Sequence, residues 1–141
     1  MNQVIAEDNG TFGIWLDSSS NNSIADFQAE DNGVAGVYLG CNAIGPIGTA
    51  CPTGVSPSNS NSIIGTVGES TSSLVSNTAS QRFGVIVGLG NLHNRFLSIT
   101  GTGNVDDDAL DENPECGSNR WFGDTFTTSI PAKNTTFFCL N

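Results

Sequence analysis

Residues 9–39 read NGTFGIWLDSSSNNSIADFQAEDNGVAGVYL, and this stretch contains one pattern twice. Asn9 is followed four residues later by Gly13-Ile14-Trp15-Leu16, and Asn32 is followed at the same distance by Gly36-Val37-Tyr38-Leu39, 23 residues further on. Self-similarity at a fixed period of this size is typical of proteins that stack copies of one small unit. The sequence therefore predicts a repeat protein.

The repeat continues as an Asn that precedes a large apolar residue by two positions. The four Asn residues are Asn22, Asn61, Asn94 and Asn119, and the apolar residues are Ile24, Ile63, Phe96 and Trp121. Short segments with alternating apolar and polar residues lie between the motifs, which is the pattern of β-strands. Because so small a unit cannot bury its own apolar face, it must stack on its neighbours, and we predict an all-β solenoid of about five coils.

Stacking gives the four Asn residues a structural role. Equivalent residues of neighbouring coils lie about 4.8 Å apart, so side-chain amides can form a hydrogen-bonded ladder along the stack. Asn also tolerates the left-handed backbone of a sharp turn. We therefore predict an Asn ladder and, beside it, an interior stack of the four apolar residues. A further small polar residue lies ten positions after each Asn, at Asn32, Thr71, Asn104 and Ser129.

These motifs, together with the segment DENPECGSNRWFGDTF at residues 111–126, carry a resemblance to a known family. The chain resembles the C-terminal coils of right-handed parallel β-helix proteins of the pectate-lyase-like type, over essentially its whole length. Similar closing segments occur at the ends of secreted bacterial β-helix proteins. The resemblance implies the fold, whereas the functions found on that fold are many.

The repeat also predicts the organisation of the chain. Residues 1–141 form one β-helix domain, and the period is interrupted by insertions at about 40–60 and 70–81. Residues 111–141 are expected to cap the C-terminal end. Residues 1–8 lack the features of a signal peptide and open directly into a strand-like segment without a capping helix, so we expect the domain to be part of a longer chain.

Composition excludes several classes of protein. The 141 residues include 14 Asp and Glu but only 4 Lys and Arg, which gives a formal net charge of −10. This charge disfavours nucleic acid and anionic membrane surfaces as partners. No apolar run approaches the roughly 20 residues of a membrane span, so we expect no membrane insertion. The abundance of Asn, Ser, Thr and Gly argues against a helix bundle.

Four cysteines are the candidates for disulfides. Proximity in sequence favours the pairs Cys41–Cys51 and Cys116–Cys139. Zinc binding is the alternative, but the chain has no Cys-x-x-Cys pair and only one His, His93, which we read as a turn residue. Structural disulfides imply an oxidising compartment, so we expect an extracellular or cell-surface location.

The acidic run around residue 107 has three interpretations. Asp106, Asp108 and Asp111 suit a calcium ion, which is the one cofactor that the sequence suggests, although a solvated acidic loop is the simpler reading. Asp107 and Asp108 also faintly resemble the adjacent aspartates of polygalacturonase-type hydrolases. The Ser-His-Gly and Arg-Ile-Lys elements that accompany that pair are missing, and no two of the four basic residues are adjacent in sequence. We therefore assign no catalytic residue.

The middle residue of each glycine segment is a candidate for ligand binding. Alternation directs Trp15, Tyr38 and Ile86 outward as one lateral column. Trp15 and Tyr38 could then stack on sugar rings or bury a partner surface. The alternative is that the two insertions fold over the column and cover it.

Three functions follow from these observations. The first is a non-catalytic scaffold or binding module of a secreted or cell-surface protein, which binds glycan or protein along its lateral face. The second is the C-terminal part of a polysaccharide lyase or glycoside hydrolase. The third is a structural unit that self-assembles by stacking end to end.

Overall fold

The computed structural model describes residues 4–41, 49–64, 74–76 and 81–130, with backbone alone for 74–76. The regular secondary structure of these residues is β-strand, apart from one 3-10 turn at Pro114–Cys116, and there is no α-helix among them. Every strand pairing is parallel. The prediction of an all-β chain is confirmed.

The strands belong to three sheets, which we call sheets A, B and C. Sheet A consists of β1 (Val4–Glu7), β4 (Phe27–Glu30), β7 (Leu74–Ser76), β10 (Thr100–Thr102) and β13 (Thr125–Phe126). Sheet B consists of β2 (Phe12–Asp17), β5 (Ala35–Gly40), β8 (Phe83–Val87), β11 (Asp107–Asp111) and β14 (Ser129–Ile130). Sheet C consists of β3 (Ser23–Ala25), β6 (Ser62–Ile64), β9 (Arg95–Leu97) and β12 (Arg120–Phe122).

The chain passes through the three sheets in a fixed cyclic order, A then B then C. Each passage adds one strand to each sheet beside the strand of the passage before. Val4 aligns with Phe27 and Phe12 aligns with Ala35, which is the 23-residue period read from the sequence. The register also aligns Trp15 with Tyr38.

Apolar side chains from all three sheets meet in one interior core. The four apolar residues of the Asn motifs lie in register on sheet C, in the order Ile24, Ile63, Phe96, Trp121. Trp121 stacks on Phe96 with ring centroids 3.8 Å apart and meets Phe126 edge-on at 5.8 Å. Since these rings are buried, aromatic packing fills the core near the last passage.

Sharp corners between sheets rely on single residues with left-handed backbone. Asp26, Ser98 and Gly123 have φ of 56°, 56° and 65° at the turns from sheet C to sheet A. The turn from sheet B to sheet C has such a residue directly before Asn94, namely His93, with φ of 60°. Its backbone N–H donates to Ser118 Oγ at 3.1 Å. The structure thus places His93 in a turn.

The insertions differ from their predicted bounds. Strand β7, at Leu74–Ser76, lies inside the predicted insertion at 70–81 and pairs with both β4 and β10. The run of Ser and Thr hid it, because the strand is short and its flanks look like a loop. Within the insertion at about 40–60, Ser58 is buried and its hydroxyl lies within hydrogen-bond distance of the backbone oxygens of Gly40 and Leu16, to one of which it donates. This part of the insertion is therefore packed into the turn before sheet C.

Cysteine pairing agrees with the prediction where the structure describes it. Cys41 and Cys51 form a disulfide, as predicted. Cys116 is buried and disulfide-bonded, and Cys139, its predicted partner, lies outside the described residues. Among the described residues, no helix is long and apolar enough to cross a membrane.

Candidate functional site

The predicted Asn residues are connected by hydrogen bonds at the turn that leads into sheet C. Each side-chain amide donates to the Oδ1 of the next Asn: Asn22 to Asn61 at 3.0 Å, Asn61 to Asn94 at 3.2 Å, and Asn94 to Asn119 at 3.2 Å. Each backbone N–H donates to the same Oδ1. We call this chain of bonds the first ladder; it satisfies polar groups that stacking would otherwise bury without partners.

A second ladder runs along the turn between sheets A and B. Asn9 donates to Asn32 at 2.8 Å, Asn32 to Gln81 at 3.2 Å, and Gln81 to Asn104 at 2.7 Å. Asn32 and Asn104 are two of the small polar residues noted in the sequence. The position between them is held by Gln81; Thr71 lies outside the described residues.

Both ladders end on a buried aspartate. Asn104 Nδ2 donates to Asp108 Oδ1 at 2.7 Å, and Asn119 Nδ2 donates to Asp111 Oδ2 at 3.1 Å. A carboxylate accepts hydrogen bonds but, when ionised, cannot pass one on. Each ladder therefore has a direction, with amide donors leading toward a carboxylate.

The three carboxylates suggested as calcium ligands have other partners in the structure. Asp108 also accepts the backbone N–H groups of Thr127 and Thr128, and Asp111 accepts the indole N–H of Trp121 at 3.3 Å. Asp106 instead pairs with Arg82 at 2.6 Å. In the described part of the chain, no group of three or more acidic, His or Cys side chains could hold a metal ion.

The adjacent aspartates Asp107 and Asp108 lie in different environments. Asp108 is buried and bonded within the second ladder, whereas its neighbour Asp107 aligns with Phe83 on β8 and is partly exposed. Burial, with the neighbouring charges of Asp106 and Asp108, raises the pKa of Asp107. Because the Asp108 carboxylate is occupied by ladder and backbone donors, the two groups do not share one solvent-accessible position.

The predicted lateral column is present on the outer face of sheet B. Its members, one from each strand and in register, are Trp15, Tyr38, Ile86, Leu110 and Ile130. Trp15 is 40 % exposed at one end and Ile130 is 51 % exposed at the other, while Ile86 between them is 2 % exposed. The accessible aromatic part of the column is therefore at the β2 end.

Phe12 extends this end into an aromatic patch, which we define as Phe12, Trp15 and Tyr38. The Phe12 ring lies 5.7 Å from that of Trp15 and 4.7 Å from that of Tyr38, between ring centroids. Sequence reasoning missed Phe12, because simple alternation puts it on the same face as Ile14, which is partly buried against the core.

Glycine and acidic residues shape the surroundings of Tyr38. A Cβ at Gly40 would overlap the Tyr38 ring, and a Cβ at Gly88 would lie 3.4 Å from its hydroxyl. The Tyr38 ring and hydroxyl therefore lie over the backbone of Gly40 and Gly88, where a side chain would be in the way. Burial, followed by the negative charges of Glu112 and Asp17, raises the pKa of Tyr38. The hydroxyl is accordingly protonated at neutral pH.

The site thus combines aromatic faces with oxygen acceptors. Tilted rings offer apolar faces, Asp17 lies in register with Gly40 beneath the Tyr38 ring, and the charges of Glu112 and Asp17 both act on the Tyr38 hydroxyl. Glu112 Oε2 also accepts the backbone N–H of Leu89 at 3.2 Å, which holds this carboxylate in place. Neither acid was singled out from the sequence, because the two are far apart in the chain and meet only through the sheet register.

No protein-family model, curated protein or solved structure matches the chain.

Proposed function

We propose that the chain is a right-handed parallel β-helix whose sheet B face binds a neutral glycan, without a cofactor and without catalysis. The fold proposal is supported by the cyclic order of the three sheets and by the parallel pairing of every strand. Connections between parallel strands of one sheet are right-handed in nearly all proteins. The proposed module belongs to a secreted or cell-surface protein, and the Cys41–Cys51 disulfide supports an oxidising location.

The exposure of Trp15 is the observation that carries the binding proposal. A stacked β-structure has no need of a large aromatic ring on its outer face, yet Trp15 is 40 % exposed beside Phe12. Contact with a sugar ring would bury this surface. The alternative was that the two insertions cover the column. The middle of the column, at Ile86 and Leu110, is 2 % and 7 % exposed, so only the Trp15 end supports the binding proposal.

The acidic neighbours favour an uncharged sugar. Asp17 is exposed and can accept hydrogen bonds from sugar hydroxyls, and the charges of Asp17 and Glu112 would both repel a carboxylate or sulfate group. A protein partner could cover the same aromatic surface. We prefer a glycan because the patch is small, with three rings and two carboxylates at its edge.

Tryptophan fluorescence provides the test. The chain has two Trp residues, and Trp121 is buried, so a binding-induced change reports on Trp15. Titration with neutral oligosaccharides of glucose, galactose, mannose and xylose is expected to shift the emission for at least one sugar. Calorimetry measures the variants, because Trp15→Ala lacks the reporting indole: Trp15→Ala should weaken that binding by about tenfold or more, and Ile130→Ala, at the other end of the same column, should leave it unchanged. The proposal fails if no sugar of the panel binds, or if the two variants behave alike.

Polysaccharide lyase or hydrolase activity was the second function predicted from the sequence. In that hypothesis the chain is the C-terminal part of such an enzyme, with Asp107 and Asp108 as faint candidates, and the bonds that occupy Asp108 give this pair no support.

Self-association is a further candidate, because the end formed by β1, β2 and β3 exposes apolar side chains. Val4 and Ile5 are 42 % and 58 % exposed there, and in the described part of the chain these three strands are the edges of their sheets. The direction of the ladders disfavours one arrangement, in which this end of one copy stacks on the end of another copy that carries Asp108 and Asp111. Asn side-chain oxygens of the first copy would then face carboxylate oxygens of the second, and both are hydrogen-bond acceptors. Light scattering over a range of protein concentrations tests association, and a constant monomer mass would exclude it.

A further inference from the structure

Charge is divided unequally among the three sheets. The strands of sheet A contain Glu but no Lys or Arg, and those of sheet B contain four Asp and no Lys or Arg. The strands of sheet C read SIA, SII, RFL and RWF, so they contain no acidic residue and two of the four basic residues of the chain. In a protein with a net charge of −10, sheet C is therefore locally cationic.

The two basic residues are neighbours. Arg95 and Arg120 are register partners on β9 and β12, which places their Cα atoms about 4.8 Å apart. Both are exposed. They point away from the core, because the next residue along each strand, Phe96 or Trp121, points inward. Like charges directly opposite each other on one sheet face are destabilising. The pair therefore does not contribute to fold stability.

Neither arginine forms an ion pair within the described residues. The ion pair found there joins Arg82 to Asp106, on a different side of the molecule. Asp124, which follows β12 closely, is buried, and its Oδ1 accepts the backbone N–H of Ile99 at 2.6 Å. Both guanidinium groups can thus offer donors to a ligand.

An apolar column lies beside the basic pair. It consists of the outward-facing last residue of each sheet C strand, in register: Ala25, Ile64, Leu97 and Phe122. Phe122 is 40 % exposed, and the Arg95 guanidinium lies 5.7 Å from its ring centroid. This contact orients Arg95 by a cation–π interaction. The result is a compact group of two cations and one accessible ring.

We propose that Arg95, Arg120 and Phe122 form a binding site for a short acidic saccharide, on a face separate from the aromatic patch. Arg binds carboxylate and sulfate oxygens through paired N–H donors, and the Phe122 ring packs against the apolar face of the sugar. The ligand is short because attraction to two charges is local, within a Debye length of about 8 Å. A long polyanion, nucleic acid or anionic membrane would also meet the repulsion of the whole chain.

Binding of small saccharides to matched variants tests this site. The probes are a sulfated disaccharide, a uronate-containing disaccharide, the neutral disaccharide of the same linkage, inorganic sulfate and tetraglutamate, each titrated by calorimetry at low salt. The wild-type protein is expected to bind the two acidic disaccharides about tenfold or more tightly than the other three probes. Arg95→Gln/Arg120→Gln should lose this preference. Arg82→Gln, which removes an arginine on another side, should keep it.

Several results would overturn the proposal. Absence of acidic disaccharide binding by the wild-type protein would refute it, as would an equal loss in Arg82→Gln. Tetraglutamate binding as tightly as the disaccharides would indicate a peptide site instead. Circular dichroism checks that the double variant is folded, and Phe122→Leu provides a second variant that retains both charges but should weaken saccharide binding. Trp15→Ala should retain acidic saccharide binding, so failure of this site and failure of the sheet B site are distinguishable.

Discussion

The outer faces of sheets B and C share a parallel backbone and an exposed aromatic ring but differ in the sign of the charge beside that ring. Sheet B presents an aromatic patch beside Asp17 and Glu112, whereas sheet C presents Arg95 and Arg120 beside Phe122. The inward residues of both sheets contribute to the same core. The comparison indicates that inward positions specify the stack while outward positions are free to specify ligands.

Disrupting the shared interior should abolish the difference between the faces. Asn94→Ala removes the central member of the first ladder and leaves buried donors of Asn61 without an acceptor. We expect the free energy of unfolding to fall by about 2–4 kcal/mol, measured by urea denaturation, and both faces to lose binding near the new midpoint. Asn22→Ala is the matched control at the exposed end of the ladder, and it should cost about 1 kcal/mol or less. Equal losses in the two variants would contradict the account of the ladder.

A substitution on sheet B alone should weaken ligand binding there and leave binding on sheet C unchanged. Gly40→Ala places a methyl group where the Tyr38 ring lies and must displace the ring. Neutral glycan binding on sheet B is expected to weaken about tenfold, while acidic saccharide binding on sheet C is unchanged. Calorimetry with both ligands measures the two effects in one protein. Loss of both ligands, with the melting temperature maintained, would show that the faces are not independent.

Measuring the free energy of unfolding against pH tests a buried group of the interior, Asp111, without involving either ligand-binding face. Burial raises the pKa of Asp111 above its ordinary value of 3.8, against the opposing effect of hydrogen bonds from Asn113, Trp121 and Asn119. The folded protein therefore binds this proton more tightly than the unfolded chain. The contribution of Asp111 to stability is full below pH 3.8 and decreases as the pH rises through its folded-state pKa.

Asp111→Asn removes this titration. The unfolding free energy of the wild-type protein minus that of the variant should fall as the pH rises above 3.8, by no more than about 1.36 kcal/mol per pH unit. Denaturation curves collected from pH 3 upward measure the difference. A difference that increases with pH would show that hydrogen bonding to the carboxylate outweighs its burial. Saccharide binding at pH 7 should be preserved on both faces of the folded variant.

Ionic strength should have the smallest effect and should act on one face. Raising salt from about 0.05 M to about 0.5 M shortens the screening length severalfold, so acidic saccharide binding at Arg95 and Arg120 should weaken about threefold. Neutral glycan binding at Trp15 should change by less than about 1.5-fold, because stacking does not depend on charge. Calorimetry at the two salt concentrations compares the faces, and equal salt dependence would contradict the division of charge between them.

The repeat made the interior predictable. The spacing between an Asn and the apolar residue two positions later is the same in every copy, so the first ladder and the stack from Ile24 to Trp121 followed from alignment alone. The same alignment contained the neighbouring arginines, which the sequence analysis missed although Arg95 and Arg120 each come directly after a ladder Asn. Adjacency in sequence was the wrong criterion, since stacking makes residues 25 positions apart neighbours.

Other features depended on contacts that the spacing does not contain. Gln81 joins the second ladder across an irregular segment, so its register could not be counted from Asn32. The acidic run suggested solvent or an ion, yet Asp108 and Asp111 terminate the two ladders. Whether a carboxylate faces water or an amide donor depends on the turn that carries it, and only the folded chain shows this.

Mapping chemical shifts during a neutral oligosaccharide titration tests the central claim most directly. Outward positions of sheet B are expected to respond, with the largest changes at the Trp15 indole and the Tyr38 ring and none at Arg95 or Arg120. A subsequent titration with the acidic disaccharide should shift the two arginines and leave Trp15 unchanged. Overlapping sets of shifted residues, or changes confined to the interior ladders, would contradict the account.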